Sequence, residues 1–302
     1  MRVLLTGAGG QVGTEVARSL EGRAEILALD RARLDLADGG SIVGAVREAR
    51  PDVIVNAAAY TAVDRAESDE ATARAINAAA PGILAEEAKR CGALLLHYST
   101  DYVFDGTKRS PYLESDPVNP VNAYGRTKLE GERAIAQSGC DHLILRTEWV
   151  YGPHGSNFLL TMLRFAATRP ELRVVDDQHG APTSSLQLGR LTRTLLEGPG
   201  QEISTPSLAR LRKAPGVYHA TASGSTTWCG FARAIFEERL RQPGPSFAAP
   251  RVTPIPSSEF PTPARRPANS VLCCDKLEAA FGVRLEDWRA GLRDVLSVLP
   301  AA

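Results

Sequence analysis

The chain has 302 residues, and its 35 lysines and arginines balance 35 aspartates and glutamates, so the formal net charge is zero. That length, with 43% hydrophobic residues, can bury the core of one α/β domain with an appended lobe. Balanced charge without a block of one sign argues against nucleic acid or an anionic membrane as main partner, and no apolar run is long enough to span a bilayer.

Cys91, Cys140, Cys229, Cys273 and Cys274 show neither CxxC nor Cys/His metal spacing. The chain opens on strand-like Arg2-Val3-Leu4-Leu5 rather than a signal-peptide pattern. Reduced thiols and a cytoplasmic location are expected.

Val3-Leu4-Leu5 reads as a short strand. Thr6-Gly7-Ala8-Gly9-Gly10-Gln11-Val12-Gly13 follows at once, ahead of a helical pattern over residues 15–20. Strand, glycine turn and helix make a phosphate-binding context: glycines allow the tight turn, backbone amides approach a diphosphate, and the helix N-terminus adds partial positive charge. Gly7, Gly10 and Gly13 have the wider spacing of short-chain dehydrogenases. A second strand, residues 25–29, leads to Asp30, placed to meet the ribose hydroxyls of an adenosine. A carboxylate there favours NAD over its phosphorylated form, although Arg31 and Arg33 could tolerate the phosphate. Asp35-Leu36 lies where such folds contact adenine, and capping of the next helix is an equal reading of Asp35.

Residues 52–56 form the next strand and run into Ala57-Ala58-Ala59-Tyr60-Thr61, where small side chains let a flat cofactor lie close to the backbone. A helical stretch then covers residues 66–90, containing Asn77 and expected to fray at Pro81-Gly82. The apolar run 93–98 reads as a buried strand closed by Ser99-Thr100-Asp101, and ligands gather at the carboxyl ends of such strands. Pro111, Pro117 and Pro120 keep residues 104–122 irregular. On the helix that follows, Tyr124 and Lys128 share one face. An ammonium beside a phenol favours the phenolate, lowering a pKa otherwise near 10 and bringing proton transfer towards neutral pH. Residues 143–147 supply another strand, and the alternation specifies a doubly wound parallel sheet.

Beyond Trp149-Val150-Tyr151-Gly152 the rhythm loosens. Helices are expected over 157–168, 185–196, 228–241, 275–281 and 285–299, with short strands at 173–175 and 217–219. Residues 199–215 read as a polar surface loop. Eight prolines fall between Pro243 and Pro267, too many for regular structure. The helices after them favour a lid over a linker. Residues 1–148, completed by parts of about 171–225, would form the dinucleotide-binding domain, and 149–170 with 226–302 a smaller α/β substrate lobe.

The glycine turn, the Ser99-Thr100-Asp101 strand end and Tyr124-x-x-x-Lys128 together resemble the extended short-chain dehydrogenases/reductases. More narrowly, Arg50-Pro51-Asp52-Val53-Ile54-Val55-Asn56-Ala57-Ala58-Ala59, Thr61-Ala62-Val63-Asp64 and Ser99-Thr100-Asp101-Tyr102-Val103-Phe104 resemble runs of the dTDP-4-dehydrorhamnose reductase family. So do Asp176-Asp177-Gln178-x-Gly180-Ala181-Pro182-Thr183, Thr226-Thr227-Trp228 and Pro261-Thr262-Pro263-Ala264-x-Arg266-Pro267. The runs span nearly the whole chain, including the substrate lobe, which the fold alone would not identify.

The resemblance implies a Rossmann-type reductase that passes hydride from NADH or NADPH to the C4 ketone of a dTDP-linked 6-deoxyhexulose, giving dTDP-L-rhamnose. Gly10, Gln11 and Val12 would contact the diphosphate, Asp30, Asp35 and Leu36 the adenosine, and Ala59, Tyr60 and Thr61 the cofactor groove. Tyr124 would protonate the ketone oxygen, Lys128 would hold the nicotinamide ribose, and Thr100 would bind the developing alkoxide. Asp101, Trp149, Asn157 and Arg266 would touch the sugar; an ordinary core role is the other reading of Trp149. A homodimer is implied as possible.

Three departures stand out. The family's Arg-Thr-Ser-Trp run reads Arg146-Thr147-Glu148-Trp149. Of the carboxylates that bridge subunits through a metal in some members, Glu15 remains, but Leu186 and Arg289 replace others, so no metal is expected. Residues 199–215 are longer than the family norm. The alternatives are a nucleotide-sugar epimerase or dehydratase of the same fold, and a noncatalytic subunit like that of methionine adenosyltransferase. Retention of Tyr124 and Lys128 speaks against the last.

Overall fold

The computed structural model describes residues 1–242 and 247–299. Strands and helices alternate through the first half: β1 (Arg2–Thr6), α1 (Gln11–Leu20), β2 (Glu25–Leu29), α2 (Gly39–Ala49), β3 (Val53–Asn56), α3 (Val63–Ala66), α4 (Glu70–Arg74), α5 (Ala80–Cys91), β4 (Leu94–Thr100), α6 (Ala123–Ser138) and β5 (His142–Thr147). Then come β6 (Val150–Tyr151), α7 (Phe158–Ala166), β7 (Glu171–Val175), β8 (His179–Gly180), β9 (Thr183–Ser184), α8 (Ser185–Glu197), α9 (Thr205–Arg212) and β10 (Gly216–His219). The chain closes with β11 (Thr226–Thr227), α10 (Trp228–Arg241), β12 (Arg251–Ile255), α11 (Asp275–Phe281) and α12 (Trp288–Val298).

The main sheet is wholly parallel, in the order β10-β5-β4-β3-β1-β2. Successive strand residues face opposite sides. Val3, Leu5, Val55, Leu96 and Leu145 therefore join one core with residues of α1 and α8, while Leu4, Ile54, Leu95 and Ile144 join a second with α2 and α5. Burial on both faces explains why β3 and β4 read as unbroken apolar runs. The order reverses between β1 and β3, and the crevice at such a switch point is where open α/β sheets bind ligands. No helix among the described residues is long and apolar enough to cross a membrane.

Three expectations change. Pro81 does not fray its helix: a π turn over Ala75–Ala79 precedes it, with Ala80 N–H bonding to Ala75 O. Pro81 has no N–H to offer the Asn77 carbonyl, and a π turn absorbs that missing bond. Residues 199–215 are not a loop, because Ser204 and Ser207 form a capping box that starts α9, and Leu208 and Leu211 bury its inner face. The proline-rich segment holds a regular strand, β12, paired only with β7, so Pro254 sits at an edge where its missing donor removes no ladder bond. Pro243 and Pro245 of that segment lie outside the described residues.

A third core, including Tyr151, Leu159, Phe231, Ile235, Trp288 and Leu292, holds the smaller lobe together. Residues on the two sides of the expected division also pack together: Leu272 joins Val103, Phe104 and Leu129. Leu277 and Phe281 of α11, with Leu285, return to the core of the main sheet.

Gly131 of α6 packs directly on the π turn, where an added Cβ would lie 2.1 Å from the Asn77 carbonyl oxygen. Gly131→Ala must push the two helices apart, a change expected to cost about 1–3 kcal/mol. The denaturation midpoint should fall while the folded spectrum persists; an unchanged midpoint would show that this contact relaxes freely.

Candidate active site

The turn after β1 is built for close approach. Gly7 has φ +72°, and a Cβ there would stand 2.7 Å from Ala58 backbone at the end of β3. A Cβ on Gly13 would fall 2.1 Å from Gly7 O. Gly10 caps α1 without a side chain, leaving the helix N-terminus open to an anion. Asp30 lies beside Gly9, and its Oδ1 accepts from Ala32 N and Arg33 N at 3.1 Å each. Asp35 bonds Ala37 N, and Asp38, not Asp35, caps α2. The Leu36 side chain packs in the α2/α5 core.

On the other side of the crevice, Tyr60 is clamped by the π turn. Its N–H donates to Asn77 Oδ1 at 2.9 Å, and Asn77 Nδ2 returns a bond to Tyr60 O at 3.1 Å. Asn77 thus fixes the Ala59-Tyr60-Thr61 segment. That role depends on helix placement and has no local sequence signal.

Thr100 at the end of β4 and Tyr124 at the start of α6 meet. Asn122 caps α6 through Gly125 N at 2.8 Å, and the Tyr124 ring stands edge-on to Tyr102 at 5.8 Å. Burial pushes the Tyr124 phenol up to about 12; the Thr100 hydrogen bond pulls it back and the Asp101 charge pushes it further. The expected lowering by Lys128 is not what this arrangement gives. Lys128, 1% exposed, reaches under β4 instead, where Nζ donates to Tyr98 O at 2.6 Å and stands 3.2 Å from His97 Nε2. Burial brings its pKa down to about 8 against the Glu132 charge. Glu132 is itself held by Ser99 Oγ at 2.6 Å and by Arg146 at 2.9 and 2.7 Å.

Glu148 now has a physical setting. It is buried with Asp101, and each has one oxygen without a hydrogen-bond partner: Asp101 Oδ2 and Glu148 Oε1. Thr100 Oγ1 donates to Asp101 Oδ1 at 2.9 Å, and Ser270 Oγ donates to Glu148 Oε2 at 2.8 Å. Burial raises Asp101 to about 7, with the Ser270 and Thr100 hydroxyls pulling back. Burial, then the Asp101 charge, hold Glu148 well above the usual carboxyl range. Both effects favour the protonated form of Glu148.

Gly180 makes this corner possible, since a Cβ there would lie 2.5 Å from Trp149 Cε2 and 2.6 Å from Glu148 Oε2. Trp149, at φ +45°, is half-buried and stacks on Trp228 with ring centroids 3.6 Å apart. Asn157 caps α7, and its amide donates to Gln11 Oε1 at 2.8 Å and Gly152 O at 2.9 Å. It ties the smaller lobe to the glycine turn and does not stand beside Tyr124. Arg266 pairs with Asp64, Nη2 to Oδ2 at 2.8 Å. The neighbouring Arg265 carbonyl accepts from Asn122 Nδ2 at 2.8 Å, so the proline-rich segment is pinned against the start of α6. Glu15 is paired with Arg18 and His154, Leu186 packs in the lobe core, and Arg289 pairs with Glu237.

Residues 1–300 match the family model described as the RmlD substrate binding domain. A dTDP-4-dehydrorhamnose reductase of Burkholderia thailandensis is 50% identical over 98% of this chain and 100% of its own. One from Escherichia coli K12 is 43% identical over 99% of this chain and 98% of its own. The crystal structure of a dTDP-4-dehydrorhamnose reductase from Clostridium acetobutylicum superposes with a TM-score of 0.89, at 37% identity and 99% coverage of both chains. That from Bacillus anthracis, in complex with NADP, gives 0.86 at 32% identity and 98% coverage of both. A UDP-glucose 4-epimerase of Thermus thermophilus, at 21% identity and 0.77, shares the fold alone. With the glycine turn, the Thr100–Tyr124 pair and the smaller lobe all inside one full-length match, the chain belongs to the dTDP-4-dehydrorhamnose reductase family.

Proposed function

We propose that this chain reduces the C4 ketone of dTDP-4-dehydro-6-deoxy-L-mannose at the expense of NADH or NADPH, giving dTDP-L-rhamnose. The meeting of the Thr100 and Tyr124 hydroxyls above buried Lys128, beside an open helix N-terminus, carries this reading. The reduced nicotinamide, when bound, supplies the hydride. Gly7, Gly10 and Gly13 leave room for a diphosphate, and the first turn of α1 presents its amides to it. Tyr124 gives its proton to the ketone oxygen, and Thr100 hydrogen-bonds that oxygen as charge develops. The stacked Trp149 and Trp228 offer the sugar an apolar wall. A cytoplasmic location and a possible homodimer belong to the same proposal.

Tyr124→Phe keeps the ring and removes only the acid. Turnover of the 4-keto sugar, followed by NADH oxidation, should fall about a hundred- to ten-thousand-fold while NADH still binds. Turnover close to that of the parent would overturn the assignment. Consumption of one NADH per sugar also separates a reductase from an epimerase, which regenerates its nicotinamide.

Asp30 can accept from both ribose hydroxyls but repels a ribose phosphate. Asp30→Ala should narrow the difference between NADH and NADPH in kcat/KM; an unchanged ratio would place the selectivity elsewhere.

The buried acids add a pH dependence. Asp101, with its pKa pushed up to about 7, titrates around neutral pH, and its charge favours the protonated form of Glu148. Loss of the Glu148 proton at higher pH would bring a second negative charge towards the developing alkoxide and oppose it. Glu148→Gln keeps a donor and cannot ionise, so activity at neutral pH should stay close to the parent while the alkaline fall in kcat moves upward. Superimposable pH–rate profiles would detach Glu148 from the reaction.

A further inference from the structure

The ends of β1, β3 and β4 bury an unbroken polar chain that the reaction described above leaves unused. Thr6 Oγ1 donates to Asn56 Oδ1 at 2.7 Å, and Ala58 N–H donates to the same oxygen at 3.2 Å. Asn56 Nδ2 stands 2.9 Å from His97 Nδ1, and His97 Nε2 stands 3.2 Å from Lys128 Nζ. Thr6, Asn56, His97 and Lys128 are each at most 1% exposed, so these groups must satisfy one another.

One end of the chain sets its direction. A backbone N–H can only donate, so the Asn56 atom beside Ala58 is the oxygen and the amide nitrogen faces His97. His97 Nδ1 must then accept. The ring is neutral, because burial, and after it the Lys128 charge, hold its pKa well below the ordinary value. A neutral imidazole with an accepting Nδ1 carries its proton on Nε2, and that proton points at Lys128. An ammonium there would set two donors against each other. A neutral amine instead accepts from Nε2–H and still donates to Tyr98 O.

We propose that Asn56 and His97 are positioning residues for Lys128: Asn56 holds the His97 proton on Nε2, and the ring so oriented favours the neutral lysine. Burial acts in the same direction and the Glu132 charge against it. Glu132 is in turn bound by Ser99 of β4 and Arg146 of β5. The consequence rests on the reductase reading. After Tyr124 has protonated the substrate oxygen, its phenolate must regain a proton. Solvent returns it when the site reopens, and the Nε2–H of His97 favours the neutral Lys128 amine one helical turn along α6.

Nitrogen-15 NMR of the full chain labelled at histidine reads the tautomer without any substrate. The His97 signals, identified by their loss in His97→Gln, should show a bare Nδ1 and a protonated Nε2 throughout about pH 6 to 9. The reverse tautomer, or a ring that charges in that range, overturns the proposal. His97→Gln also offers Lys128 an amide oxygen, an acceptor in place of the donor. The limb of the kcat profile that belongs to Lys128 should then move upward by about one pH unit, with KM for the sugar little changed. A folded His97→Gln enzyme whose limb stays in place overturns the coupling. If that variant does not fold, signals assigned by spectra of the parent chain alone decide the tautomer. A parent chain without reductase activity would defeat the functional reading and leave the tautomer result standing.

Discussion

The contact between Gly7 and Ala58 governs the rest of the site. With 2.7 Å between the place of a Gly7 Cβ and the Ala58 backbone, any side chain at position 7 would drive the turn after β1 away from the end of β3. The positive φ of Gly7 closes the same option through backbone strain. Because the two segments touch, α1 starts at the switch point of the sheet and its open N-terminus faces the crevice. The contact also brings Thr6 within reach of Asn56, which begins the buried polar chain to Lys128.

The two halves of the molecule are joined at the site as well as through α11. Asn157 reaches from the smaller lobe to Gln11, and Asn122 holds the Arg265 carbonyl. Ser270 meets Glu148, and Tyr112 bridges to Leu272. Each join brings together segments far apart along the chain, the first at the turn after β1 and the Ser270–Glu148 bond beyond the end of β5. The described prolines of the segment expected as a lid therefore flank or lie in a strand and a pinned strap. The short-range irregularity that proline imposes is compatible with tight long-range fixation.

Buried charge is concentrated below and beside the reacting centre. Arg146 and Glu132 form a bidentate pair at 5% and 4% side-chain exposure, and removing one partner of such a pair typically costs about 3–5 kcal/mol. Lys128 lacks a carboxylate in contact and is satisfied by a carbonyl and an imidazole instead. Burial raises the pKa of Asp101 and Glu148 and so favours their protonated forms. One small region thus uses three ways to keep ionisable groups out of water, and two of them leave the group free to exchange a proton.

The elements of the main sheet were legible because each depends on neighbours in sequence: apolar strands, glycines at a turn, and Tyr124 and Lys128 one helical turn apart. Gly7-x-x-Gly10-x-x-Gly13 determined the anion-binding turn, and Ser99-Thr100-Asp101 marked the strand end. Local spacing could place Lys128 on the face of Tyr124, but only the packing of α6 against β4 decided that its ammonium turns to Tyr98 and His97. Glu148 likewise stood out in the sequence as a departure, while its raised pKa comes from burial and the Asp101 charge, against the pull of the Ser270 hydroxyl 122 residues away. The π turn at Asn77 and the strand around Pro254 were hidden for the same reason. Propensity reports what a segment prefers alone, whereas a carbonyl facing Gly131 or a partner strand such as β7 exists only once the chain has closed.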